Sequence, residues 1–252
     1  MKKKSVVFFM LYHKRPELTR MSLWHMSKVS DRFKNNGHEV HTVVVGNDER
    51  QRSYCNSMGL DHYSFENEPL YKKFKFAWTT SLQKKTDYIC WLGSNNLNSS
   101  LYWTKALNKL KEESPVSFGS PCFTVTHKNP KKNRTVLWTR QKHHICSCGQ
   151  FFSRKSIEEA VDFDDVFTSE RNKANHDFDG SINNSLCLKN GMSCIESVTP
   201  NELDCIDIKS KDDINTYSSY LSSSYDSGAP RAIISKLFEE IRMLDSGYFK
   251  QE

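Results

Sequence analysis

Three short runs of β-branched and aromatic residues constrain the fold of this chain more than any other feature. Ser5–Tyr12 (SVVFFMLY) and Tyr88–Leu92 (YICWL) are continuously apolar, as strands covered on both faces are. His38–Val45 (HEVHTVVV) reads as another strand, closed by Gly46-Asn47-Asp48, and a weaker β segment lies near His62–Phe65. Helical patterns fill the gaps. Pro16 suits a first helical turn, Glu17 favours its positive end, and Leu18, Met21, Leu23, Trp24 and Met26 supply an apolar side. Tyr71–Leu82 and Leu101–Leu110 are read the same way. This alternation predicts an α/β domain with a largely parallel sheet, whose ligands lie beyond the carboxyl ends of the strands. Those ends carry His13-Lys14-Arg15, Asn47-Asp48 and Ser94-Asn95-Asn96, so one sheet edge becomes the expected site.

The pattern changes after Leu110. Val116–Val125 and Thr135–Thr139 read as strands flanking HKNPKKNR, a turn-rich basic tip. Ile157–Val161 begins a short helix, Ser169–Ser181 is polar, and Ile182–Leu188 looks helical. Serine and tyrosine dominate from Thr216 to Gly228, a loop or linker composition, and Ala232–Leu244 has amphipathic helical spacing. With 252 residues the chain can bury one large core, and its net charge of +6 permits a polyanionic partner without demanding one. The apolar start is short and has no small-residue cleavage site, and no run approaches transmembrane length. The expectation is a cytoplasmic protein with reduced thiols, without membrane insertion. His143-His144 with Cys146 and Cys148 matches no common structural zinc spacing.

Six segments, in order over roughly residues 4–195, resemble glycosyltransferases of the GT-A fold. HKRPELTRMSL after the first strand resembles their "xRPxxL" entry, and VVVGNDE their second strand with its terminal acid. ENEPLYKKFKFAW resembles the "PLGxKxN" segment of a set of phage and bacterial members, and DYICWLGSNNL their "DYVLxLGSDD" strand and metal turn. CSCGQFFSRKSIEEA is similar to their "GxGRxxSRxxL", and HDFDGSINNSL to their "xLDxSM". The resemblance implies a Rossmann-type, mixed but mostly parallel sheet flanked by helices, with a basic β-hairpin insertion and a C-terminal helical extension. Residues 1–200 would form the GT-A domain, with 1–96 its nucleotide-binding half and 97–200 its acceptor half. Residues 201–252 would form the extension.

Sugar transfer from a nucleoside diphosphate needs a diphosphate clamp, stabilisation of the leaving charge and activation of an acceptor hydroxyl. Lys72 and Lys73 suit phosphate oxygens, or else form a solvated helix start; His13, Lys14 and Arg15 face the same two readings. Asp48, after a buried strand, can accept from a ribose hydroxyl or a base N–H. Asp179, with Asp177 second, is the expected general base; the alternative is a polar loop capping the next helix. Ser94 and Asn95 occupy the metal turn, where Asn95 stands in place of an aspartate that would coordinate Mg2+ or Mn2+. Either metal binding is weak, or Lys72, Lys73 and Arg154 neutralise the charge, or catalysis is lost; the first two are preferred.

For the acceptor, His127–His144 holds six lysines and arginines and no acid. Lys128, Lys131, Lys132, Arg134 and Arg140, with Trp138 among them, could follow a phosphate backbone, or form a solvated hairpin. The wording resembles bacteriophage proteins of the T-even type, which glucosylate or arabinosylate hydroxymethylcytosine in DNA. This implies transfer from a UDP-sugar to 5-hydroxymethylcytosine in double-stranded DNA, in the host cytoplasm. Two other readings stay open: a bacterial surface glycan or protein as acceptor, and a catalytically silent GT-A module that binds nucleic acid or nucleotide sugar.

Overall fold

The first strand sits at the centre of everything that follows. The computed structural model of the chain describes residues 3–112, 117–120, 122–127, 136–139, 149–168, 181–182, 185–186, 193–194 and 205–209. Strand β1 (Ser5–Leu11) is buried on both faces and pairs in parallel with β2 (Glu39–Gly46) on one side and β4 (Tyr88–Gly93) on the other. Helix α1 (Pro16–Asn35) crosses from β1 to β2, and α2 (Glu49–Ser57) from β2 to β3 (His62–Ser64). Helix α3 (Leu70–Gln83) returns to β4, which runs through a tight turn into β5 (Asn96–Asn98) and α4 (Ser100–Lys109). Then come β6 (Phe118–Gly119), β7 (Cys122–His127), β8 (Val136–Thr139), β9 (Gln150–Ser153), α5 (Arg154–Ala160), α6 (Phe163–Thr168), β10 (Ser193–Cys194) and β11 (Cys205–Lys209).

The main sheet has the order β10-β6-β9-β4-β1-β2-β3, and only β9 runs against the others. Alternation along β1 sends Val6, Phe8 and Met10 to one face, against Leu23, Met26, Val29 and Phe33 of α1 and Tyr102 and Trp103 of α4. Val7 and Phe9 go to the other, against Phe74, Ala77 and Trp78 of α3 and Ile157 of α5. The crossovers therefore pass over one face from β1 to β3, and α3 on the other face carries the chain back to β4. Strand order reverses between β1 and β4. An open α/β sheet has its ligand crevice at such a point, outside the carboxyl ends of the two strands.

A second sheet, β5-β11-β7-β8, lies on the far side of α1. Leu18, Met21 and Trp24 of α1 pack on Leu97, Ile206 and Ile208. Thus α1 is apolar on two sides, one for each sheet. β7 and β8 form the antiparallel pair expected to flank the basic tip. Strand β11 lies beyond residue 200, in the segment read as an extension, yet pairs with β5 and β7. No helix among the described residues is long and apolar enough to cross a membrane. Cys55, Cys90 and Cys205 are buried thiols, and burial raises the Cys55 thiol to about 12.

His25 joins these layers. Its Nε2 accepts from the Asn98 amide at 3.2 Å and from the Trp103 indole N–H at 3.3 Å. Burial lowers its pKa to about 4. Between the ordinary 6.5 and 4 the unfolded chain binds a proton there that the folded chain refuses, so stability is lost as the pH falls through that window. We expect a melting temperature several degrees lower at pH 5 than at pH 7, and a smaller drop in His25→Gln. An equal drop in both proteins would show that His25 does not contribute.

Candidate functional site at the β1–β4 crevice

A side-chain bond crosses the switch point. Arg15 Nη2 donates to Ser94 Oγ at 2.9 Å, joining the end of β1 to the turn after β4, and Ser94 is buried. Lys14 and Arg15 reach this position with φ of 55° and 52°, consecutive left-handed residues without glycine. Such a backbone costs roughly 1–2 kcal/mol per residue and is found where surroundings and function hold it. The Lys14 and Arg15 carbonyls are tied down by Thr19, whose Oγ1 and N–H donate to them at 3.3 and 3.0 Å.

Beside this bond lies a floor built on Tyr12. Its ring packs over Gly46, and its hydroxyl donates to the Asp48 carbonyl at 3.2 Å and meets His62 Nε2 at 2.8 Å. Burial raises the Tyr12 pKa well above its ordinary value. Lys73 is fully buried: its Nζ donates to the Tyr12 carbonyl and to Asn67 Oδ1 at 3.4 Å, and lies 5.6 Å from the Tyr12 ring centre. Burial lowers its pKa to about 8, against the attraction of Glu66. Half-buried His13 is lowered too, first by burial and then by the Lys73 charge. Asn47 Nδ2 donates to Glu66 Oε2 at 3.0 Å, linking the ends of β2 and β3.

The residues expected from the sequence divide sharply. His13, Lys14, Arg15, Asp48, Ser94 and Asn95 lie at the same sheet edge. Asp48 is also the N-cap of α2, its Oδ1 accepting from Gln51 N at 3.0 Å. Lys72 is exposed on the first turn of α3, whereas its neighbour Lys73 points into the core, since adjacent helical residues face different ways. Arg154 is not brought to the site. Because β9 is antiparallel to β4, Arg154 follows at the amino end of β4, where its N–H donates to the Asp87 carbonyl. That is about 20 Å from Ser94 at roughly 3.3 Å per residue. Its Nε pairs instead with Glu158 at 2.7 Å. Asp177, Asp179, Lys128, Lys131, Lys132, Arg134, Arg140, the His143–Cys148 cluster and the segments 216–228 and 232–244 lie outside the described residues. Of Trp138, only its backbone pairing with Phe123 is described.

The turn after β4 holds the residue that sequence reasoning missed. Asn95 Nδ2 donates to Asp207 Oδ1 at 2.7 Å and to the Ile208 carbonyl at 3.1 Å, and Ile208 N returns a bond to the Asn95 carbonyl. Asp207 is 5% exposed, a carboxylate brought from β11 to a turn that has none of its own. Its sequence signal was an acid between two isoleucines in CIDIK, an unexpected charge in an apolar strand. Asn96 lies over Gly93, where a Cβ would stand 1.8 Å from its Oδ1. Among the described residues, no group of three or more His, Cys, Asp or Glu could hold a metal ion.

No protein-family profile matches the chain, and no curated protein matches it in sequence. Solved structures do match in fold. TarS of S. aureus superposes with a TM-score of 0.51 at 13% identity, over 82% of this chain and 37% of its own. GalNAc-T7, solved with UDP, GalNAc and Mn2+, gives 0.55 at 9% identity, over 95% and 50%. The chain thus spans half or less of the length of these two structures. Both are GT-A glycosyltransferases, and the mixed, mostly parallel sheet flanked by helices is the GT-A fold.

Proposed function

We propose that the chain is a glycosyltransferase that uses a nucleoside diphosphate sugar. One observation carries the reading: on a GT-A sheet, Arg15 and Ser94 are bonded across the point where strand order reverses. In this reading the base and ribose lie toward Asp48, and the diphosphate lies at Arg15 and Ser94. Lys14 and Lys72 lie at its solvent side, with His13 on the floor. The acceptor oxygen bonds to the anomeric carbon as that carbon's bond to the diphosphate breaks. Asp179, with Asp177 as the second carboxylate, takes the acceptor proton, and the diphosphate leaves with the electron pair.

The proposed donor is UDP-glucose or a UDP-linked arabinose, and the proposed acceptor is 5-hydroxymethylcytosine in duplex DNA. Support for the acceptor is the basic composition of residues 127–144, which run from the end of β7 through its antiparallel partner β8. The enzyme would act in the cytoplasm, with residues 1–200 as the GT-A domain, to which β11 adds a strand from the segment beyond.

Transfer of labelled sugar tests the reading. Product on hydroxymethylated duplex DNA is expected; product only on a glycan or protein would replace the acceptor and keep the enzyme class. Donor binding without product on any acceptor would make the chain a binding module. Asp179→Asn should lower the transfer rate at least about 100-fold. Full rates in both Asp179→Asn and Asp177→Asn would overturn the base assignment. Neutralising Lys131, Lys132 and Arg134 should weaken DNA binding and flatten its salt dependence.

A further inference from the structure

We infer that the crevice balances the charge of the departing diphosphate with the Arg15 guanidinium, and does not use a divalent cation at the Ser94-Asn95-Asn96 turn. The inference rests on the nucleotide-sugar reading and concerns how that site works.

The donor set of the turn does not fit Mg2+ or Mn2+. These hard ions are held by carboxylates together with substrate phosphates. Ser94 already receives a cation, since its hydroxyl accepts from Arg15 at 2.9 Å. A divalent ion on the same oxygen would sit beside a guanidinium, and like charges that close repel strongly at a partly buried site. Asn95 is turned the other way. Its amide nitrogen faces two acceptors, the Asp207 carboxylate at 2.7 Å and the Ile208 carbonyl at 3.1 Å, which fixes the orientation of the amide. What it could offer an ion is one neutral oxygen. Asn96 packs its side-chain oxygen against Gly93. Asp207, the carboxylate at this turn, is buried and binds the Asn95 N–H. It anchors the turn to β11.

Arg15 has the complementary properties. A guanidinium stays charged at any working pH and presents paired N–H groups in a plane that matches phosphate oxygens. The left-handed pair at Lys14 and Arg15 brings that group from the end of β1 across to the turn of β4. This is the place at which two phosphates entering the switch-point crevice would meet it. Of the other cations considered for this task, Lys73 is enclosed by the Tyr12 carbonyl and Asn67, Arg154 is at the opposite edge, and Lys72 is exposed on the first turn of α3.

Calorimetric binding of UDP, ADP, CDP and GDP to the full chain, in EDTA and again in Mn2+, tests the inference. At least one nucleotide should bind with the same Kd, within about threefold, in both buffers. Arg15→Gln should weaken that binding roughly 10- to 100-fold, the size of a lost charge-assisted pair, with no rescue by Mn2+. Arg15→Lys should fall between. Binding that requires Mn2+, or that survives intact in Arg15→Gln with an unchanged melting temperature, overturns the inference and leaves the nucleotide-sugar reading in place. Should Arg15→Gln fail to fold, the wild-type comparison and Arg15→Lys decide. No binding of any nucleotide in either buffer overturns both.

Discussion

Gly46→Ala is expected to cost about 3 kcal/mol of stability and to abolish tight nucleotide binding at the same time. A Cβ at residue 46 would stand 2.1, 2.3 and 2.5 Å from Cζ, Cε1 and Cε2 of Tyr12. These are ring atoms of a side chain 2% exposed, so they cannot swing into solvent. Overpacking of this kind costs about 1–3 kcal/mol, and displacing the ring also strains the hydroxyl bonds to the Asp48 carbonyl and His62, each worth about 1 kcal/mol. The same ring movement carries the Tyr12 carbonyl with it, and with that the Lys73 contact beneath the crevice. Urea unfolding and nucleotide calorimetry read the two effects separately. If the clash is with the ring, Gly46→Ala in a Tyr12→Ala background should cost clearly less than in the wild type. An equal cost in both backgrounds would place the effect in the strand and not in the floor of the site.

The main sheet was legible because β1, β2 and β4 are buried on both faces, and their residues say so without help from the rest of the chain. Pro16 and Glu17 mark the start of α1 for reasons local to a helix terminus, and the structure begins it at Pro16. What stayed hidden depended on partners distant in sequence. Gln150–Ser153 is a strand because β4 and β6 flank it, and its antiparallel direction is what sends Arg154 to the wrong edge for phosphate binding. Ser153 then caps α5, accepting from Ser156 N, and gives the SRK motif a structural role. Cys205–Lys209 has five residues and pairs with strands near residues 97 and 125, contacts that no local pattern announces. Asp207 came with it. The turn at 93–96, which has no carboxylate of its own, is thus bonded to one that arrives from more than a hundred residues later in the chain. In the sequence Lys72 and Lys73 stand as two adjacent cations, yet helical geometry sets one in solvent and the other under Tyr12.

Lys73→Met should separate stability from binding. At pH 7 the buried ammonium is mostly protonated, because its pKa remains about 8. The gap from the ordinary 10.5 corresponds to about 3 kcal/mol by which the folded environment disfavours the charge. Removing the amine relieves that penalty but leaves the buried Tyr12 carbonyl without its Lys73 donor, a loss of about 1–3 kcal/mol. No charged partner is stranded, unlike the breaking of a buried ion pair, so the two effects offset and stability at pH 7 should change little. The pH dependence then has a definite sign. From 8 to 10.5 the unfolded chain still holds a proton on Lys73 that the folded chain has released, so wild-type stability rises with pH relative to the variant. Between pH 7 and pH 9.5 the difference between the two proteins should move by about 2 kcal/mol in favour of the wild type. Urea unfolding at both pH values checks this; a difference that stays constant would mean that Lys73 titrates normally and is not enclosed. Nucleotide binding should behave otherwise, weakening roughly tenfold at pH 7, since Lys73 fixes the Tyr12 carbonyl one residue before His13-Lys14-Arg15. A variant as stable as the wild type that binds as tightly would show that the left-handed pair positions Arg15 without support from below.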